Sequence, residues 1–344
     1  MIAHSKPWIT NSDREAIDRV VARGMIAQGD EVRRFEERCA EFLGINGCVV
    51  VGSGTAALTL ALRALNLDRG CEVILPTYVC RDVLEAVLDA DCAPSLCDVG
   101  EHWNMTVDTV KKVITPRTGA IILVHIYGIP IDVDAFLALG LPVVEDACQA
   151  LGARLNGQPV GTFGHVGVYS FHATKCLTTG EGGLAASNES RLLDRMRTIR
   201  NGRTVDFRRV ASPMSDIQAA LGLSQLERYT QFLATRRTIA DMYFKALRHC
   251  AVTLPDEVCI DSMYFRFPVR VRGDFEVFRR RFAEWNVEIR RGVDELLHWS
   301  FPHPARSFDE AERLFNETIS LPIYPALTTA EQETVIAACC AILT

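Results

Sequence analysis

The sequence predicts an α/β fold, with a large domain built on a mainly parallel sheet and a smaller C-terminal α/β domain. Short apolar runs suited to fully buried strands alternate with helical segments, and polar or glycine-rich turns separate them. A long helical stretch from Gln218 to Leu247 then gives way to the alternating run Tyr264-Phe-Arg-Phe-Pro-Val-Arg-Val271. That change places a boundary inside the helix near residue 230, with 1–230 as the large domain and 231–344 as the small one.

Ser12 to Ala22 carries Ile17, Val20 and Val21 at helical spacing, and Ser12 with Glu15 makes a capping box. Glu31 to Phe42 forms a second amphipathic helix, and Cys48 to Val51 is a buried strand ending at Gly52. The run Thr55 to Leu65 is strongly helical, so Gly52-Ser-Gly-Thr-Ala56 is a turn that opens a helix. The same rhythm continues through strands at 72–75, 120–125 and 142–145 and helices at 81–88 and 133–139. Such sheets bind ligands at the carboxyl ends of their strands, where the polar residues singled out below fall.

With 48% hydrophobic and 23% charged residues, the composition is that of a globular protein with a sizeable core. A net charge of −6 without a Lys/Arg stripe argues against nucleic acid as partner. The twelve cysteines are scattered, with no CxxC and no zinc-site spacing, so they read as small buried hydrophobes in a reducing cytoplasm. No leader pattern and no apolar run of membrane-spanning length is present, so neither export nor a membrane is expected.

Four segments carry candidate chemistry. Gly52-Ser-Gly-Thr-Ala56 offers unpaired N–H groups and a positive helix end to a phosphate, although glycine at such a turn also has steric reasons. Asp146, in Glu145-Asp-Ala-Cys-Gln149, ends a buried strand and needs a cationic partner such as a protonated pyridine, or else caps a helix. Lys175, in Ser170-Phe-His-Ala-Thr-Lys175, stands between a strand and the turn Thr178-Thr-Gly-Glu-Gly-Gly183, where desolvation would suit Schiff-base chemistry; taken alone, a surface lysine reads as well. His125 and His172 fit packing better than catalysis, and Arg290-Arg291 fits either a solvated basic face or a contact to a diphosphate or carboxylate.

In this order, Phe35-Glu36, SGTAALTLAL, EVILPTYV, VEDACQALGA, SFHATKCLTTGEGG, SDIQAALGLSQL and SLPIYPALT resemble the DegT/DnrJ/StrS sugar aminotransferases, a branch of the fold type I pyridoxal phosphate (PLP) enzymes, over nearly the whole chain. The resemblance implies a seven-stranded large-domain sheet, PLP as cofactor and a homodimer. It implies that Lys175 holds PLP as a Schiff base and then shuttles the proton between substrate carbon and cofactor. Asp146 would pair with the pyridinium nitrogen and Gln149 with the phenolic oxygen. Ser170, the backbone of Gly54, Thr55 and Ala56, and the Thr55 hydroxyl would hold the phosphate, and Tyr78 would stack on the ring. Two departures stand out. Relatives usually carry an asparagine, given to the partner subunit's phosphate, where this chain has Ala211; Asn201, Arg203 or another residue of the RNGR stretch would substitute, or the phosphate would be held with fewer contacts. The loop between Gly202 and Pro213 is also short.

The resulting expectation is amino transfer from glutamate or glutamine to a keto sugar, probed against three rivals: a keto-cyclitol transaminase, a PLP-dependent sugar dehydratase, and a PLP-binding regulator without turnover. The dehydratase branch replaces the lysine with histidine, so Lys175 favours transamination.

Overall fold

The computed structural model describes residues 1–202, 212–255 and 262–343; Ala211, Arg203 and most of the short loop lie outside these. Seven strands form the main sheet: β1 (Gly47–Val51), β2 (Glu72–Pro76), β3 (Ala93–Cys97), β4 (Thr118–Val124), β5 (Val143–Asp146), β6 (Val166–Ser170) and β7 (Gly183–Ser187). Their order across the sheet is β1-β7-β6-β5-β4-β2-β3. The pairings from β3 through β6 are parallel, whereas β7 runs antiparallel to both β6 and β1. Helices cover both faces, which is why Ile121, Ile122, Val143 and Val144 are wholly buried and read as continuous apolar runs.

A second core lies toward the C-terminus. Ile239, Tyr243 and Leu247 of helix Tyr229–Leu247 pack with Phe267 and Val269 of β8 (Phe267–Arg270), Ile319 of β10 (Thr318–Leu321) and Val335 of helix Thr329–Ile342. β10 lies between β8 and the two-residue β9 (Arg290–Arg291). Ile2 joins this core and bridges to Val287, so the first residues of the chain pack against its C-terminal part.

Local chemistry moves several predicted boundaries. The first helix is Asn11–Arg23, and its capping box is Thr10 with Asp13 rather than Ser12 with Glu15. The Thr10 N–H donates to the buried Asp13 carboxylate at 2.8 Å, and Arg228 grips the same group at 2.6 Å. That pair latches the first helix to Asp216–Glu227, and the long helical stretch breaks at Arg228. The helix expected at 133–139 is a single turn, Asp134–Leu137.

Candidate active site

Val51 ends β1, and the chain turns through Gly52 and Ser53 into helix Gly54–Leu65. Ser53 caps that helix by accepting the Ala56 N–H at 3.1 Å. This corrects the expectation for Ala56: its donor is consumed by the cap, and the N–H groups without a partner among the described residues are those of Gly54 and Thr55. The Thr55 hydroxyl donates to Asp82 Oδ1 at 3.2 Å. A Cβ on Gly54 would lie 2.9 Å from Ser170 Cβ and 3.2 Å from both Ser170 Oγ and Cys148 Sγ, so glycine is what lets the helix start abut the end of β6. Gly183 is the register partner of both Val51 and Ser170, and a Cβ there would sit 2.1 Å from the Ser53 carbonyl oxygen. Three strand ends thus wall the helix N-terminus, a half-buried cradle with two free N–H donors and a serine hydroxyl, suited to a phosphate.

Asp146 closes β5 and is buried. One carboxylate oxygen accepts the Cys148 N–H at 3.0 Å, which leaves the other for a ligand. Gln149 Oε1 accepts the Tyr127 N–H at 2.8 Å, so its amide is oriented with the NH2 group as the remaining donor. Tyr127 pays for this in backbone strain, with φ of 58° in the left-handed region. Beneath lies His125, wholly buried, with Nε2 2.9 Å from Glu145 Oε2. His125 Nδ1 accepts the Ile131 N–H, so Nε2 is the nitrogen that donates to Glu145. Glu145 also accepts N–H groups of Gly161, Phe163 and Gly164 at 2.6–2.8 Å. Burial alone would raise its pKa; the His125 bond and the backbone donors outweigh that and hold it below the ordinary carboxylate value. His125 therefore braces the strand end from below rather than entering the cleft.

Phe171 exchanges bonds with the glycine-rich turn: its N–H donates to Gly182 O and its carbonyl accepts from Thr179 N. Gly180 supplies the left-handed φ of 79° that this reversal needs. The loop 172–177 is thereby pinched off at its base and presents Lys175, whose Nζ lies 4.8 Å from the centroid of the Phe265 ring. His172, in the same loop, is exposed and bonded to Thr174, which corrects the expectation that it is packed.

Tyr78 does not stack in the cleft. Its ring is 1% exposed and its hydroxyl bonds Tyr127 Oη at 2.8 Å, tucked where a Cβ on Gly292 would strike both hydroxyls. The residue that stands on the cleft is Cys80, exposed at the N-terminus of helix Arg81–Asp89 and acted on by the charges of both Asp146 and Lys175. Its thiol is pushed up to about 12, first by desolvation and then by Asp146. Sequence reasoning passed over it for the nearer aromatic; its place at a helix start beyond the carboxyl end of β2 is the signal that could have found it. Arg291 is fixed between Phe275 and Phe315, 4.3 and 4.6 Å from their centroids, so it braces the fold, whereas Arg290 borders a narrow pocket that also holds Lys175. Asn201 accepts from Arg200. Among the described residues no cluster of three or more His, Cys, Asp or Glu suits a metal, and no helix is long and apolar enough to cross a membrane.

The residues present fit PLP: a phosphate cradle, a buried carboxylate with a free oxygen, an amide donor and an amine lie at or just beyond the ends of neighbouring strands. Residues 7–339 match the model of the DegT/DnrJ/EryC1/StrS aminotransferase family, whose aminotransferases are PLP-dependent. GDP-perosamine synthase of Escherichia coli O157:H7 is 31% identical over 344 residues, covering 95% of this chain and 94% of that enzyme. The dTDP-3-amino-3,4,6-trideoxy-alpha-D-glucose transaminase of Micromonospora megalomicea subsp. nigra is 31% identical over 361 residues, covering 96% and 94%. The solved aminotransferase TlmJ of Streptoalloteichus hindustanus superposes with a TM-score of 0.92 at 31% identity, covering 100% of this chain and 99% of that one. The architecture, the cleft and these likenesses agree, and the chain belongs to the DegT/DnrJ/EryC1/StrS aminotransferase family.

Proposed function

We propose that this protein transfers an amino group from glutamate or glutamine to the ketone of a nucleotide-linked deoxysugar. The observation that carries this reading is the meeting of Lys175, Asp146 and the Gly54–Ser170 cradle at the carboxyl edge of one sheet. When bound, PLP supplies the electron sink that makes the carbon beside the amino nitrogen acidic.

The chain's own residues do the rest. Gly54 and Thr55 N–H groups with Ser170 Oγ bind the phosphate. The free Asp146 oxygen accepts the ring N–H and keeps it protonated, and the Gln149 NH2 group donates to the phenolic oxygen. Lys175 Nζ takes the proton from the donor carbon and later returns one to the former ketone carbon, as base and then acid. Its Nζ lies 4.8 Å from the centroid of the Phe265 ring, which gives the amine a fixed neighbour beside the site of proton transfer.

We also read the chain as two domains meeting near residue 230, acting as a homodimer; the family resemblance supports both. Eleven free cysteines among the described residues suit a reducing cytoplasm. The test is to incubate the PLP-loaded protein with glutamate and a GDP-, UDP- or dTDP-linked keto sugar and to follow 2-oxoglutarate and amino-sugar formation. Lys175→Ala should abolish both while leaving the melting temperature in place. Normal turnover in that variant would overturn the assignment.

A further inference from the structure

The narrow pocket beside Lys175 is walled by Lys6, Trp8, Arg236, Phe265, Arg266 and Arg290, and no carboxylate lines it. Arg290 is paired with Glu288 at 3.0 Å. The other two guanidinium groups have no such partner among the described residues. Arg236, 3% exposed, gives its hydrogen bonds to the carbonyls of Tyr264 and Phe265, and Arg266 gives Nη1 to the carbonyls of Arg291 and Gly292. Asp294 acts on Arg266 only from beyond ion-pair distance. Carbonyl dipoles satisfy donors but leave net charge, and desolvated positive charge without a counter-ion is costly. A pocket built this way is completed by an anion.

Position says which anion. Lys175 Nζ and Arg266 Cζ both face the Phe265 ring, at 4.8 and 5.8 Å from its centroid. With both cations on one aromatic ring, a dicarboxylic amino acid whose amino nitrogen lies at Lys175 directs its side-chain carboxylate toward Arg266, with Trp8 and Phe265 among the residues lining the pocket around its methylene stem. Resting on the aminotransferase reading above, we infer that this pocket is the donor site, in which Arg266, aided by Arg290 at the rim, binds the side-chain carboxylate of a dicarboxylic amino donor while the amino end lies at Lys175. Glutamate is then preferred to glutamine, because the neutral amide leaves the guanidinium uncompensated.

The probe is glutarate, titrated calorimetrically into PLP-loaded protein, with UDP as the competing anion for an acceptor diphosphate. Wild type should bind glutarate. Arg266→Met should weaken it about tenfold or more, as expected for loss of a charge-assisted pair; Arg266→Lys should weaken it less, and Arg290→Gln, on a more exposed side chain, less again. Melting temperatures separate these losses from misfolding, since Arg266 also ties two carbonyls. Glutarate affinity within twofold of wild type in a folded Arg266→Met protein would overturn the inference, as would UDP binding that depends on Arg266 while glutarate does not bind. Failure of the aminotransferase reading looks different: glutarate binds through Arg266, yet glutamate yields no 2-oxoglutarate in wild type.

Discussion

Gly183→Ala tests the phosphate cradle through a single methyl group. Its Cβ would lie 2.1 Å from Ser53 O, 2.4 Å from Ser53 C and 2.7 Å from Gly54 N, all backbone atoms that cannot rotate aside. Gly183 is held on both sides, opposite Val51 and Ser170, so relief has to come from the turn at Ser53–Gly54. Overpacking of this kind costs about 1–3 kcal/mol. In the proposed function the same turn holds the cofactor's phosphate, so cofactor binding would have to reverse that displacement, and the same energy corresponds to a roughly fivefold to 150-fold loss of PLP affinity. The assay is titration of apo protein with PLP, followed by absorbance, beside Gly140→Ala as control. Gly140 has φ of 74° but nothing within 4 Å of an added Cβ, so its substitution strains the chain without touching the cradle. PLP affinity of Gly183→Ala within twofold of the control would refute the placement of the phosphate.

Glu145→Gln should lower stability by about 1–3 kcal/mol at neutral pH, because a carboxylate that accepts four hydrogen bonds becomes an amide that suits them poorly. A depressed folded-state pKa contributes stability that is present above the unfolded carboxylate value and lost as pH falls through the folded one, so the gap between variant and wild type should narrow below about pH 4.5. Urea unfolding at several pH values checks this, and a gap constant with pH would contradict it. Cys80, although exposed, should resist iodoacetamide near pH 8, since its thiol is held up at about 12 and little thiolate is present. Peptide mapping reads the outcome, and labelling as fast as in unfolded protein would show that the cleft does not desolvate it.

What could be read from the chain was what is encoded locally. The buried runs at 120–124 and 143–146 announce central parallel strands because both faces are covered, and Gly54, Asp146, Ser170 and Lys175 lie at strand ends or within a few residues beyond them, so sequence position translates into position on the sheet edge. The failures are tertiary. Gly183–Ser187 is a weak apolar stretch whose antiparallel place between β1 and β6 depends on its neighbours. Tyr78 and Cys80 share one turn, and only the packing of Gly292 and Tyr127 decides which faces inward. Asp13 outcompeted Glu15 for the first helix cap because Arg228, distant in sequence, holds its carboxylate. Arg266 was passed over for the same reason: nothing in FRFPVR tells that its side chain borders a pocket shared with Lys175.

The most direct test of the central claim is borohydride reduction of the PLP-loaded protein, followed by peptide mass mapping. The chain has five lysines, and Lys6 borders the same pocket as Lys175, so the result discriminates between real neighbours. The account predicts the cofactor's mass on Lys175 alone, lost in Lys175→Ala. The mass on Lys6, or on no lysine of a protein that has taken up PLP, would contradict it.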